Sequence, residues 1–316
     1  MKRQNIVILG TGGTIAGRAV SVSDNIGYTA AQVDIDQLVA AIPAVGDAGP
    51  VLIEQVAQID SKDMSFTVWA QLAGRVNHFL ARPDVQGIVI THGTDTLEET
   101  AYFLQRVCQP DKPVVLTCAM RPATALAPDG PQNLLDALSV ARQPGAQGVV
   151  AVCAGTIHSA LDVQKVHTYQ LDAFSSGDAG PLGYVEEGTV RLLRNWPLAI
   201  EGREQVAINN IADLARLTEW PRVEIVMSYA GASGVVVEAL LTQGVQGLVV
   251  AATGNGTLHQ ALEAALLKAQ AAGIKVVRAT RCLNGRVLPK PGDTLPDSNG
   301  LSPVKARVDL LLHLLD

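Results

Sequence analysis

Ile6-Val7-Ile8-Leu9-Gly10-Thr11-Gly12-Gly13-Thr14 is an aliphatic run that breaks abruptly into glycines and threonines. It does not alternate with polar residues, which is the pattern of a strand buried on both faces. Similar junctions follow. Ile88-Val89-Ile90 enters Thr91-His92-Gly93-Thr94-Asp95-Thr96, and Leu248-Val249-Val250 leads to Thr253-Gly254-Asn255-Gly256-Thr257. Further aliphatic runs stand at Val114–Leu116, Gly148–Val152, Val223–Met227 and Ile274–Val277. Helical periodicity fills the intervals at Thr67–Leu80, Leu97–Val107, Gln132–Ala141, Val235–Thr242 and Leu258–Ala271, with a last helix over Val304–Leu315. Strands alternating with helices imply crossover units and a mostly parallel sheet, so the fold class is α/β. The expected form is a larger N-terminal doubly wound domain and a smaller C-terminal α/β domain.

The rhythm lapses between about Arg194 and Glu219, where charges and Pro197 replace any clean strand. This predicts a domain over 1–193, a linker over 194–220 and a second domain over 221–316. Asn284–Ser302 reads as a long loop. Of the 316 residues, 48% are hydrophobic but only 4% aromatic and 17% charged, so a large aliphatic core is expected, not a disordered chain or a disulfide scaffold. A net charge of -6 without a Lys/Arg run argues against nucleic acid or an acidic membrane as partner. Cys108, Cys118, Cys153 and Cys282 show no paired spacing and read as reduced, buried thiols. The six histidines form no metal-binding pattern, so no metal is expected. Ile6–Leu9 is shorter than the roughly 7–15 apolar residues of a secretory segment. A cytoplasmic location is therefore expected, with a periplasmic one if a signal peptide has been removed.

In open parallel sheets, ligands bind beyond the carboxyl ends of the strands. Glycines there let backbone N–H groups approach a ligand, and a following helix offers the positive end of its dipole. A dinucleotide loop is a rival reading of Gly10-Thr11-Gly12, but Ile15 stands where the third glycine would fall, and no Gly-Lys-Ser/Thr follows for a phosphate loop. The glycines could also simply make a tight turn. Thr96-Leu97-Glu98-Glu99 matches a capping box, which would account for Thr96 and Glu99 but not for Thr94 and Asp95.

The motifs Thr11–Gly17 and Thr91–Thr96 resemble the two signatures of the bacterial-type L-asparaginase family (asparaginase and glutaminase-asparaginase). The resemblance continues through Ser61–Met64, Ala119–Pro122 with Asp129–Pro131, Asp162–Lys165, Gly180–Tyr184, Gly254–Gly256 and Lys305–Arg307, in order over essentially the whole chain. It implies hydrolysis of a side-chain amide through a threonyl acyl-enzyme, without metal or organic cofactor. Thr14 would be the nucleophile and Tyr28, in a polar lid, its neighbour. Thr94, Asp95 and Lys165 would form a second cluster. A threonine hydroxyl needs an adjacent base. Lys165 could supply one if burial disfavours its charge, while Asp95 pulls the other way. Backbone N–H groups of the two Gly-Thr turns, including Gly93, are natural oxyanion donors. The resemblance also implies that Ser61 holds the substrate's α-carboxylate, Asp95 its α-ammonium, and the Ala119 carbonyl approaches the amide.

Lys62 stands where the periplasmic members usually carry Gln or Glu, and is expected to face the α-carboxylate side. Thr257 replaces a second Asn. The loop Asn284–Asn299 has no glutamate to reach a neighbouring subunit's site; Asp293 and Asp297 are its acids, and Asn255 is the candidate for that role. A homotetramer of intimate dimers is implied. The substrate expected is L-asparagine. The rivals are a glutaminase-asparaginase, an amidotransferase subunit sharing the motifs, and a catalytically silent amino-acid-binding protein.

Overall fold

The computed structural model describes residues 4–47, 49–197 and 211–315; residues 198–210, the middle of the expected linker, lie outside them. Among the described residues, contacts divide the chain into two compact units, the first reaching residue 197 and including 211–216, the second beginning at Leu217.

The first unit contains β1 (Asn5–Gly12), β2 (Val51–Ile59), β3 (Val85–Thr91), β4 (Pro113–Thr117), β5 (Gly148–Cys153), β6 (Thr156–Ser159), β7 (Gln164–Lys165), β8 (Phe174–Ser175), β9 (Gly183–Glu186) and β10 (Thr189–Leu192). Its helices are α1 (Ile35–Ala40), α2 (Pro43–Asp47), α3 (Phe66–Leu80), α4 (Leu97–Cys108), α5 (Gly130–Ala141) and α6 (Ile211–Leu214). Eight strands form one sheet in the order β10-β9-β6-β5-β4-β3-β1-β2. The five from β5 to β2 are parallel, with Ile8 paired to Ile53 on one side and Val89 on the other. β6, β9 and β10 add an antiparallel edge. The α/β class and the mostly parallel sheet are as expected, and the antiparallel edge is an addition.

Non-alternating strands are buried on both faces because helices cover both. Ile6, Ile8, Val89 and Val115 pack with Leu134 and Leu138 of α5 and with residues of α1 and α2. α3 buries Trp69, Leu72, Ala73, Val76 and Phe79, a helical stripe, and the Ser65 hydroxyl caps it by accepting from Val68 N. Trp69 stacks on Phe103 of α4 at 4.8 Å and donates its indole N–H to Thr100 Oγ1 at 2.8 Å. Aromatic area is thus concentrated where few residues supply it.

The second unit is a parallel three-stranded sheet, β11 (Val223–Met227), β12 (Gly247–Ala252) and β13 (Lys275–Thr280), in that order. Its helices are α7 (Val235–Thr242), α8 (Gln260–Ala271) and α9 (Pro303–His313). All four cysteines are free. Cys118 and Cys153, ending neighbouring strands, lie with sulfurs 3.2 Å apart and buried, but Cys282 is exposed, against the expectation of four buried thiols.

Candidate active site

After β1 the chain turns to β2 on one side, then crosses β1 to reach β3 on the other. This reversal opens a crevice beyond the carboxyl ends of β1 and β3, the place where open α/β sheets bind ligands. Thr14 follows β1 directly, and Thr94 and Asp95 follow β3. The two turns are drawn together by chemistry along the backbone. Thr11 Oγ1 donates to Thr91 O at 2.9 Å, and Gly13 N–H donates to Ile59 O at 2.9 Å. Gly13 has φ 84°, and a Cβ there would fall on the backbone of Gly93. At Gly93 a Cβ would meet the Ser61 side chain. Both glycines are needed for this approach.

The end of β2 joins from the third side. Ser61 is buried; its Oγ accepts from Asp95 N–H at 3.1 Å, and its carbonyl accepts from Thr96 Oγ1 at 2.8 Å. The capping box expected of Thr96 does not form, because its hydroxyl is drawn to Ser61 and makes no cap bond to α4.

The hydroxyls form two clusters. Thr14 Oγ1 and Tyr28 Oη lie 2.6 Å apart. Lys165 Nζ donates to Thr94 Oγ1 at 2.8 Å and to Asp95 Oδ1 at 2.6 Å. All five side chains line one cavity of about 210 Å³, whose remaining walls are Asn25, Ile26, Met120, Thr168 and Tyr169. Lys165 comes from β7, a two-residue strand that no periodicity in the sequence announces.

Tyr28 is carried by the loop over residues 18–29, the expected lid. Arg18 and Thr29 exchange both backbone hydrogen bonds at its neck, each 2.9 Å. At its tip the Asp24 carboxylate accepts from Gly27 N at 2.7 Å and Ile26 N at 2.9 Å, which holds that carboxyl below its usual range. The flank is stitched to the 123–126 loop: Ala123 N donates to Gly17 O, Ala19 N to Thr124 Oγ1, and Leu126 N to Val22 O. That loop follows a turn fixed by Asp129, whose carboxylate accepts from Met120 N and Arg121 N, each at 2.9 Å.

His92 is completely buried beneath the second turn. Its Nδ1 is 2.7 Å from Gly93 O, so it is the protonated nitrogen, while Nε2 has no protein partner. Burial pushes its pKa down to about 4, against the smaller raising effect of the Gly93 carbonyl.

The other expected ligands stand differently. Ala119 is fully buried and does not line the cavity. Lys62 is exposed, its ammonium held by Asp60 at 2.9 Å and Asp63 at 3.0 Å. Asn255 belongs to the second unit, where its side-chain amide donates to Leu288 O at 3.1 Å and accepts from Leu288 N at 2.7 Å. Neither Lys62 nor Asn255 lines the cavity. Conversely, Thr168 and Tyr169 line it without any sequence signal; Met120 falls inside a motif, and Asn25 and Ile26 inside the lid.

The family and the relatives make the chain a hydrolase acting on amide bonds, a chemistry that a switch-point cavity lined by threonine and tyrosine hydroxyls beside Lys165 and Asp95 suits. The description "Asparaginase, N-terminal" matches residues 5–198, and "Glutaminase/Asparaginase C-terminal domain" matches residues 222–315. The chain belongs to the asparaginase family. It is 39% identical over 98% of its length to L-asparaginase 2 of Bacillus subtilis, covering 82% of that protein. It is 39% identical to L-asparaginase 2 of Escherichia coli, covering 98% of this chain and 88% of that one. To glutaminase-asparaginase of Pseudomonas fluorescens it is 36% identical, covering 99% and 87%. The crystal structure of a probable cytoplasmic L-asparaginase from Campylobacter jejuni superposes with a TM-score of 0.91 at 40% identity, covering 99% of this chain and 95% of that one.

Proposed function

We propose that the chain is an L-asparaginase, hydrolysing the side-chain amide of L-asparagine to L-aspartate and ammonia. The observation that carries this is the pair of hydroxyl clusters on one cavity, Thr14 with Tyr28 and Thr94 with Lys165 and Asp95. In this reading Thr14 Oγ1 attacks the amide carbon as its proton passes to the Tyr28 oxygen, which hands its own phenolic proton on to the amide nitrogen. The tetrahedral oxyanion is met by backbone N–H groups. Those of Gly13 and Asp95 are committed to Ile59 O and Ser61 Oγ, which leaves the N–H groups of Thr14, Gly93 and Thr94 as donors. The C–N bond breaks, the nitrogen takes a proton and leaves as ammonia, and a threonyl ester remains. Water beside Thr94 and Lys165 then adds to the ester carbon, and its proton, relayed by Tyr28, returns to Thr14 Oγ1 as that oxygen leaves, releasing L-aspartate.

Ser61 keeps its hydroxyl proton free to donate to a carboxylate while its oxygen accepts from Asp95 N–H. Asp95 has a second carboxylate oxygen beyond the one bonded to Lys165, suited to an α-ammonium. Asparagine carries both groups, and a simple amide carries neither. Asn255 is the candidate to complete a neighbouring subunit's site in the homo-oligomer; within this chain its amide is engaged by Leu288. The working assembly is a homotetramer built from intimate dimers.

Ammonia release from L-asparagine and L-glutamine, measured for the native chain and Thr14→Ala, tests the reading. Release by the native chain, greater for asparagine and lost in the variant, is expected. No release from either substrate refutes it, and undiminished release by Thr14→Ala removes Thr14 as nucleophile.

A further inference from the structure

We propose that Tyr169 determines the substrate length the site accepts, with Arg121 as its positioning residue. The proposal rests on the asparaginase reading above and assigns that site its size limit. Among the cavity walls outside the two hydroxyl clusters, Ile26, Met120 and Tyr169 bring apolar surface. They differ in how readily they yield. Ile26 sits at the lid tip, 78% exposed. Methionine is unbranched and adapts to the shape beside it. A tyrosine ring is flat and turns about only two torsions.

This ring is also held. Tyr169 is 45% exposed, which for a loop aromatic would ordinarily mean a mobile side chain. Here the Arg121 guanidinium carbon lies 4.1 Å from the ring centroid, within cation–π range. The same guanidinium donates through Nη1 to Tyr169 O at 2.9 Å and to Met120 O at 3.3 Å. The Tyr169 and Gln170 N–H groups both donate to His167 Nδ1 at 3.0 Å, which closes the turn from within. Arg121 in turn is anchored through its own N–H on Asp129 at 2.9 Å. A wall so fixed cannot swing aside for a longer ligand as its neighbours can.

Glutamine exceeds asparagine by one methylene, and a pocket discriminates one methylene by roughly 10–200-fold. Rejection of the longer amide needs a rigid obstacle more than a new attraction. Tyr169 is the cavity's rigid apolar wall, four residues along the chain from Lys165.

The test is kcat/KM for ammonia release from L-asparagine and L-glutamine by the native chain, Tyr169→Phe, Tyr169→Ala, Arg121→Leu and the Ala/Leu double variant. Tyr169→Ala is expected to raise the glutamine-to-asparagine ratio at least about fivefold. Tyr169→Phe, which keeps the ring, should restore the ratio to within about twofold of native. Arg121→Leu should raise it in the same direction by less, and change it no further once the ring is gone, as two residues acting through one contact must behave. A ratio unmoved in Tyr169→Ala, with both substrates slowed in equal proportion, overturns the proposal. An Arg121→Leu effect that persists undiminished without the ring removes Arg121 as positioner. If the native chain releases ammonia from neither substrate, the asparaginase reading fails and this proposal with it.

Discussion

Lowering the pH should destabilise the first unit through one histidine. His92 is wholly buried, its pKa pushed to about 4, and Nε2 has no protein acceptor for a second proton. In the unfolded chain a histidine takes up its proton near 6.5. Between these values the unfolded state binds a proton that the folded state refuses, so stability is lost as the pH falls below about 6.5, and the loss is complete below about 4. At about 1.4 kcal/mol per pH unit, going from pH 7.5 to 4.5 should cost about 2–3 kcal/mol from this residue alone. Other groups titrate over the same range, so the comparison is with His92→Asn. Its amide nitrogen can replace Nδ1 as donor to Gly93 O, and it does not titrate. Urea unfolding of both proteins at pH 7.5, 6.0 and 4.5, followed by fluorescence, should show the native advantage shrinking by about that amount. A difference between the two that stays constant across the three pH values would refute the argument.

Three further outcomes follow from the geometry. Gly13→Ala places a Cβ on the Gly93 backbone at φ 84°, with about 1–3 kcal/mol of strain, and should lower the melting temperature and cut ammonia release about 100-fold by parting the two turns; native activity in the variant would contradict the required approach. Lys165→Met should reduce kcat by about 10²–10⁴-fold with little change in KM, since it removes a proton-handling group and not a binding one; steady-state kinetics showing a KM effect alone would recast Lys165 as a ligand. Asp293 pairs with Arg278 at 2.7 Å, and that hydrogen bond, helped by Lys290 N–H, holds its pKa at about 2. The pair therefore stabilises the second unit above about pH 4 and fades as the pH falls toward 2, so the melting-temperature gap between native and Asp293→Asn should narrow from pH 5 to pH 3.

The parallel core of the fold was legible because its strands are buried on both faces and read as unbroken aliphatic runs. β2 went unread: its Glu54, Gln55 and Gln58 interrupt the apolar pattern of an edge strand. β6 to β10 are two to four residues long, too short for any periodicity to register; β6, β9 and β10 form the antiparallel edge, and β7 pairs with β8 in a sheet of their own. Thr14, Tyr28, Thr94, Asp95 and Lys165 were reachable through the motif resemblance, and the structure gathers them on one cavity. Physics alone pointed only to the strand ends. Thr96 shows the limit of local pattern, because a cap signature lost to a tertiary acceptor, Ser61 O. Tyr169 shows another, since its importance lies in an arginine 48 residues away in the chain.

The stitching of the lid has a consequence for timing. The three bonds to the 123–126 loop all leave residues 17–22, while the 23–27 tip is held by its own Asp24 turn. Opening therefore need not tear the flank away; the tip can lift as a closed ring and carry the following residue, Tyr28, with it. In the proposed mechanism the Tyr28 oxygen takes up the Thr14 proton, a step then open only while the ring is down. On that mechanism an open site would hold a threonine with no proton acceptor, and so would be idle toward passing amides between turnovers.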